Sequence, residues 1–196
     1  MTKSPKLVLF GAGKIGRSFI GQLFSRSGYE VVFIDIDQNI VDALNQKHSY
    51  KVIICDTSPE IIVVDNVRGV QGQDEEKVIC EIISADIIAV SIGKNGLKHI
   101  VPTLARGLLA RENVCPGRKI DIVLAENMRN ADVFMRDELA KVLPESYPLN
   151  KYVGLVETSI GKMVPFTVNH QDNDILSVYA EAYNTLKQKG CHYPGD

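Results

Sequence analysis

Leu7-Val-Leu-Phe10-Gly11-Ala12-Gly13-Lys14-Ile15-Gly16-Arg17-Ser18 sets three glycines at the spacing G-x-G-x-x-G, between a short apolar run and a helical pattern. An apolar run that leads into glycines and then into a 3.6-residue period reads as strand, tight turn and helix. Each glycine answers a separate physical need. Gly11 makes the turn out of the strand, Gly13 lets the backbone approach a pyrophosphate, and Gly16 removes a side chain where the helix packs on the first strand. The helix aims its unpaired N–H groups and positive dipole end at the phosphates. Phe10, Gly11, Ala12, Gly13, Lys14, Ile15 and Gly16 are therefore the first candidates for contact with a dinucleotide. S-adenosylmethionine and FAD sites use related loops, so the glycines alone do not name the ligand.

The rest of the unit narrows the choice. A second apolar run, Val31-Val-Phe-Ile34, ends in Asp35, nineteen residues after Gly16, with Ile36 beside it. An acid at about that distance sits at the tip of the second strand and accepts hydrogen bonds from the adenosine ribose hydroxyls. A carboxylate there also repels a 2′-phosphate, which favours NAD over NADP. Asp37 is a rival for the role, and an ordinary turn aspartate is the plainer reading of either residue.

Composition bounds the alternatives. With 196 residues, 45% of them hydrophobic and a net charge of −2, the chain has ample material for one packed domain and no basic surface for a nucleic acid. No run of about 18 apolar residues is present, so no membrane span is expected. The N-terminal segment runs straight into a strand, so no secretory signal is expected. Cys55, Cys80, Cys115 and Cys191 are scattered, without a C-x-x-C pair or a histidine cluster. Reduced thiols, a cytoplasmic location and no metal site are expected. His48, His99, His170 and His192 each stand alone, and a lone histidine is more often a surface or capping residue than a catalytic one.

Strand and helix patterns alternate along the chain. Lys6–Phe10 and Glu30–Ile34 read as strands, and Lys14–Ser27 as a helix that stops at Gly28. Asp37 can cap the helix that carries Ile40, Val41 and Leu44. Lys51-Val-Ile-Ile-Cys55 and Glu60-Ile-Ile-Val-Val64, split by Asp56-Thr-Ser-Pro59, read as an inserted antiparallel hairpin. Helical patterning over 75–84, 96–109 and 131–143 alternates with strands over 86–93, 119–124 and 152–156. This order specifies an α/β fold: a doubly wound, mostly parallel Rossmann sheet with helices on both faces. Residues 1–165 are expected to form it, and 166–196 to begin a connection into a C-terminal domain. A ligand of such a sheet lies beyond the carboxyl ends of the strands, where strand order switches. The glycine loop, Ser91-Ile92-Gly93 and Glu126-Asn127-Met128 should converge there.

Chemistry is less legible. Asn127, just after a core strand, can donate an amide N–H to an oxygen that gains negative charge during hydride transfer; capping by Asn127 or Asn130 explains it equally well. Glu126 can take part in proton transfer, although a turn carboxylate is more often solvated. Lys162 offers an ammonium to a phosphate or carboxylate substrate, or is a plain surface lysine. No residue stands out as the general base that a carbonyl–alcohol hydride transfer needs.

Phe10 through Gly21, Val41-Asp-Ala-Leu-Asn45, His48-Ser-Tyr50, the run Asp86–Gly93 followed by a helix with Lys98, Ile100 and Pro102, Ala125-Glu-Asn-Met128, Val153-Gly-Leu-Val156 and Val164-Pro165 together resemble the long-chain polyol-specific, or mannitol, dehydrogenases. The resemblance covers nearly the whole chain and is more specific than the glycine motif. It implies an N-terminal NAD-binding domain of an oxidoreductase that interconverts a sugar alcohol, or its phosphate, with the ketose, without a metal. The glycine loop and Asp35 are expected to bind NAD, Ile92-Gly93 to lie on the cofactor, and Asn127 to hold the reacting oxygen. Two departures stand out. Gly161 falls where the family carries an aspartate, which keeps uronate-type reductases of the superfamily in play. The family's catalytic lysine belongs to a C-terminal domain beyond residue 196, so these residues alone are expected to bind NAD and turn over poorly. A non-catalytic NAD-sensing module and, more weakly, a methyltransferase are the competing readings.

Overall fold

The computed structural model describes residues 4–55, 60–160, 174–181 and 186–188. In chain order it comprises β1 (Lys6–Phe10), a π-helical stretch (Gly16–Gly21) that continues into α1 (Gln22–Arg26), β2 (Glu30–Asp35), α2 (Gln38–Lys47), β3 (Tyr50–Ile54) and β4 (Glu60–Val64). There follow β5 (Val67–Gln71), α3 (Glu75–Ser84), β6 (Ile87–Val90), α4 (Leu97–Val114), β7 (Ile120–Leu124), α5 (Ala131–Val142), the short α6 (Leu149–Tyr152), β8 (Val153–Ile160), β9 (Val178–Ala180) and β10 (Leu186–Gln188).

The main sheet runs β5-β2-β1-β6-β7-β8-β10. The first six strands are parallel and β10 is antiparallel to β8. Strand order therefore reverses at the boundary between β1 and β6, the switch point of a doubly wound sheet. Side chains alternate across each strand: Val8 and Phe10 join one core with α3, α4 and α5, while Leu7 and Leu9 join a second core with Phe19, Ile20 and Leu44. Burial on both faces explains why these strands read as unbroken apolar runs.

The hairpin forms as expected, β3 antiparallel to β4, and it gains β9 as a parallel third strand. Its tip, 56–59, lies outside the described residues. Three features go beyond the sequence reading. β5 closes the edge of the main sheet beside β2, α6 precedes β8, and the stretch after residue 174 supplies a strand to each sheet.

The helix after the glycine loop is also not uniformly α. Its π stretch links residues five apart, which stacks Gly21 over Gly16: a Cβ on Gly21 would lie 3.0 Å from the Gly16 carbonyl oxygen. That same Cβ would lie 2.6 Å from both Phe33 Cζ and Tyr50 Oη. The bare backbone makes room for Tyr50, whose buried hydroxyl donates to the Arg17 carbonyl at 2.7 Å. Elsewhere helix ends are finished by neighbours near and far in sequence. Asp37 caps α2 by accepting the Asn39 N–H at 3.0 Å, and His48 takes the left-handed position at that helix's end. Arg111, 2% exposed, donates from one guanidinium nitrogen to the carbonyls of Ile82, Ile83 and Ala85 at the end of α3. Among the described residues no helix is long and apolar enough to cross a membrane.

Candidate functional site

At the switch point the backbone stitches the ends of four strands, β2, β1, β6 and β7, together. Gly11 N–H donates to Ile34 O at 2.8 Å, Ser91 N–H to Phe10 O at 2.8 Å, and Ala125 N–H to Val90 O at 2.9 Å. The glycine loop is thereby pressed against the turn after β6: a Cβ on Gly11 would lie 2.2 Å from Ser91 O, and its φ of +98° is left-handed besides. Gly16 packs back on the loop itself, its notional Cβ 2.2 Å from Gly11 O. Gly13 is different. Nothing lies within 4 Å of where its Cβ would stand. The first helical bond, Arg17 N–H to Gly13 O at 3.0 Å, leaves the N–H groups of the preceding turn outside the helix ladder.

Beyond this loop opens a cavity of about 640 Å³. Phe10, Gly11 and Gly13 form its floor, Ile34, Asp35 and Ile36 one wall, and Ser91 and Ile92 the opposite side. Asp35 sits at the tip of β2. One carboxylate oxygen accepts the Ala12 N–H at 2.6 Å and the other the Asp37 N–H at 2.9 Å. The rival Asp37 is engaged as the cap of α2 and does not line the cavity. Ile36 is 74% exposed, an apolar side chain held out along the cavity wall. An open glycine at a helix start and an acid at the next strand tip suit a dinucleotide: the first admits a pyrophosphate, the second a ribose.

Against this geometry, the family model for the mannitol dehydrogenase Rossmann domain matches residues 5–188. The chain belongs to this family. It is 34% identical over 203 residues to mannitol-1-phosphate 5-dehydrogenase of Lactococcus lactis subsp. cremoris, covering 96% of this chain and 52% of that protein. With the enzyme of the same name from Geobacillus stearothermophilus it shares 39% over 179 residues, 90% of this chain and 46% of that one. This mannitol dehydrogenase domain thus spans about half the length of the curated relatives it matches. Among solved structures, octopine dehydrogenase with NADH and L-arginine superposes with a TM-score of 0.63 at 15% identity, over 94% of this chain and 41% of that one. A ketopantoate reductase of Ralstonia eutropha gives 0.56 at 14%, over 93% and 48%. Both likenesses establish the fold.

Within the mannitol dehydrogenase domain, the cofactor candidates divide. Phe10, Gly11, Gly13, Asp35, Ile36 and Ile92 line one cavity. Ala12 is buried in the core and Ile15 packs against it, while Lys14 is exposed at the helix start. Gly93, at φ +79°, follows Ile92. Asn127 is exposed just past β7 and caps nothing: Asn130 holds the N-cap position of α5, without a side-chain bond. Lys162 lies outside the described residues.

One set of residues escaped the sequence reading, and one residue named there has an unexpected setting. Gly96 at the N-cap of α4, and His99, Ile100 and Thr103 within it, complete the far wall with Gln73. Their i, i+3, i+4 and i+7 spacing on the helix after β6 was the available signal. Glu126, expected as a solvated turn carboxylate, is instead 6% exposed. Its Oε1 accepts the Ile92 N–H at 2.7 Å and the Gly93 N–H at 2.9 Å. Burial pushes its carboxyl above the ordinary glutamate value, and the two N–H donors pull the other way.

Proposed function

We propose that the cavity at the switch point binds NAD, and that the whole protein uses it to interconvert a sugar alcohol phosphate, of the mannitol 1-phosphate kind, with a ketose phosphate. The observation that carries the reading is the contrast among the glycines. Gly11 and Gly16 are filled by backbone, whereas Gly13 faces open space at a helix start beside Asp35. When bound, NAD supplies the hydride acceptor. The protein's own residues do the rest. Asp35 offers its remaining lone pairs to ribose hydroxyls and repels a 2′-phosphate, which favours NAD over NADP. The Gly13 turn receives the pyrophosphate, and Ile36 and Ile92 cover apolar parts of the cofactor.

Asn127 is the candidate to hold the reacting oxygen, since its amide is exposed beside the Ile92–Gly93 loop and no cap occupies it. Lys162 is proposed to meet the substrate phosphate. Residues 166–196 are proposed to lead toward a second domain carrying the general base, in keeping with relatives about twice as long. The free thiols of Cys55, Cys80 and Cys115 suit the reducing cytoplasm.

Calorimetric titration of this chain with NADH, NADPH and S-adenosylmethionine tests the cofactor reading. Saturable NADH binding, weaker NADPH binding and none with S-adenosylmethionine is the expected pattern. Preference for S-adenosylmethionine would overturn it.

A further inference from the structure

Glu126 holds a position that a turn carboxylate does not ordinarily take. It is buried, and withdrawing a carboxylate from water is costly unless donors replace the hydration. The replacement comes from another segment of the chain. Two successive backbone N–H groups, those of Ile92 and Gly93, converge on the single oxygen Oε1. Consecutive N–H groups of this kind form a concavity that holds an anion. In a nucleotide site such a concavity attracts phosphate. Here the protein's own carboxylate fills it, which leaves the Gly13 turn as the end of the cavity that receives an anion from outside.

The partners also matter for what they carry. Ile92 lines the cavity, and Glu126 immediately precedes Asn127. Backbone bonds stitch β1, β6 and β7 only as far as Ser91 and Ala125. Past those residues the Glu126 side chain ties the two turns together. We infer that Glu126 is a positioning residue: its carboxylate locks the Ile92–Gly93 loop to the turn bearing Asn127, so that cofactor contact on one is transmitted to the other. The inference rests on the cofactor reading above. It assigns Glu126 no contact with cofactor or substrate.

Two variants separate this role from a plain structural one. Glu126→Gln keeps an acceptor oxygen at the same reach; Glu126→Ala leaves both N–H groups without one. NADH affinity is measured by calorimetry, and the backbone amides of Ile92, Gly93 and Asn127 are followed by ¹⁵N-resolved NMR during the titration. Glu126→Gln is expected to bind NADH within about threefold of the unmutated chain, and Glu126→Ala about tenfold or more weakly, the scale of lost hydrogen bonds to a charged group. Asn127 should shift with NADH in the unmutated chain and in Glu126→Gln, and stay still in Glu126→Ala. If Glu126→Ala does not fold, Glu126→Asp, whose carboxylate is drawn back by one methylene, takes its place with the same expected losses. Unchanged affinity and a normal Asn127 response in the truncated variant would overturn the inference alone. Failure of the unmutated chain to bind NADH would overturn the cofactor reading and the inference with it.

Discussion

The Asp35 carboxylate accepts the Ala12 backbone N–H at 2.6 Å, tying the tip of β2 to the loop that leaves β1. A second bond from the Asp37 N–H, at 2.9 Å, fixes the other oxygen. Both are bonds to a charged acceptor, so Asp35 shapes the loop as well as facing the cavity. Asp35→Ala is expected to weaken NADH binding by roughly 1.5–3 kcal/mol. NADPH should lose less, because the same change removes a repulsion. Equal losses for both nucleotides, read by titration, would remove the ribose role.

Gly11 and Gly13 should separate stability from binding. Gly11→Ala drives a methyl to 2.2 Å from Ser91 O at a left-handed φ, and backbone must shift to admit it. Its denaturation midpoint should fall sharply. Gly13→Ala meets nothing within 4 Å, so its midpoint should stay close to that of the unmutated chain while NADH affinity drops. A Gly13→Ala protein that binds NADH normally would move the pyrophosphate elsewhere.

Arg111 closes the end of α3 from inside the structure, its guanidinium donating to the Ile83 and Ala85 carbonyls at 2.7 and 2.9 Å. A cation is also well placed at a helix C-terminus. Arg111→Ala strands those buried carbonyls and opens a cavity, a loss of about 3 kcal/mol in chemical denaturation. NADH affinity of the folded protein should not change, since the residue lies off the cavity wall.

Glu81 sets a response to acid. Burial raises its carboxyl pKa, but hydrogen bonds from Arg68 and Lys6 outweigh that and hold it below the ordinary 4.5. A depressed folded value means the unfolded chain binds the proton more readily, so this contribution is complete above about 4.5 and is lost as pH falls through the folded value. Melting temperature measured from pH 6 to pH 3 should therefore fall less steeply in Glu81→Gln than in the unmutated protein. Parallel curves would show that the cluster with Arg68 and Lys6 does not govern acid stability.

Much of this architecture is written in short-range pattern. The β1 run, the glycine turn and the following helix declare themselves within a dozen residues, because a strand period, a left-handed turn and a helix period are each local constraints. Asp35 was legible by spacing, since one helix and one strand separate it from Gly16 by a nearly invariant length. The hairpin was readable from two β-rich runs around Asp56-Thr-Ser-Pro59. β5 was not: Val67-Arg-Gly-Val-Gln71 mixes polar and apolar residues as an edge strand does, and its place beside β2 depends on a parallel pairing that no local signal encodes. The same holds for β9 and β10, three residues each.

The amino-acid order alone settled the class of fold and the place of the glycine loop through periodicity, and by spacing it narrowed the acid that faces the loop to Asp35 or Asp37. Folding in three dimensions was needed to choose Asp35 over Asp37, to bring α4 across the cavity, and to bury Glu126 against N–H groups 33 and 34 residues earlier in the chain. Those pairings depend on which strand ends become neighbours. Crossover topology decides that, and it leaves no mark on the spacing of either partner.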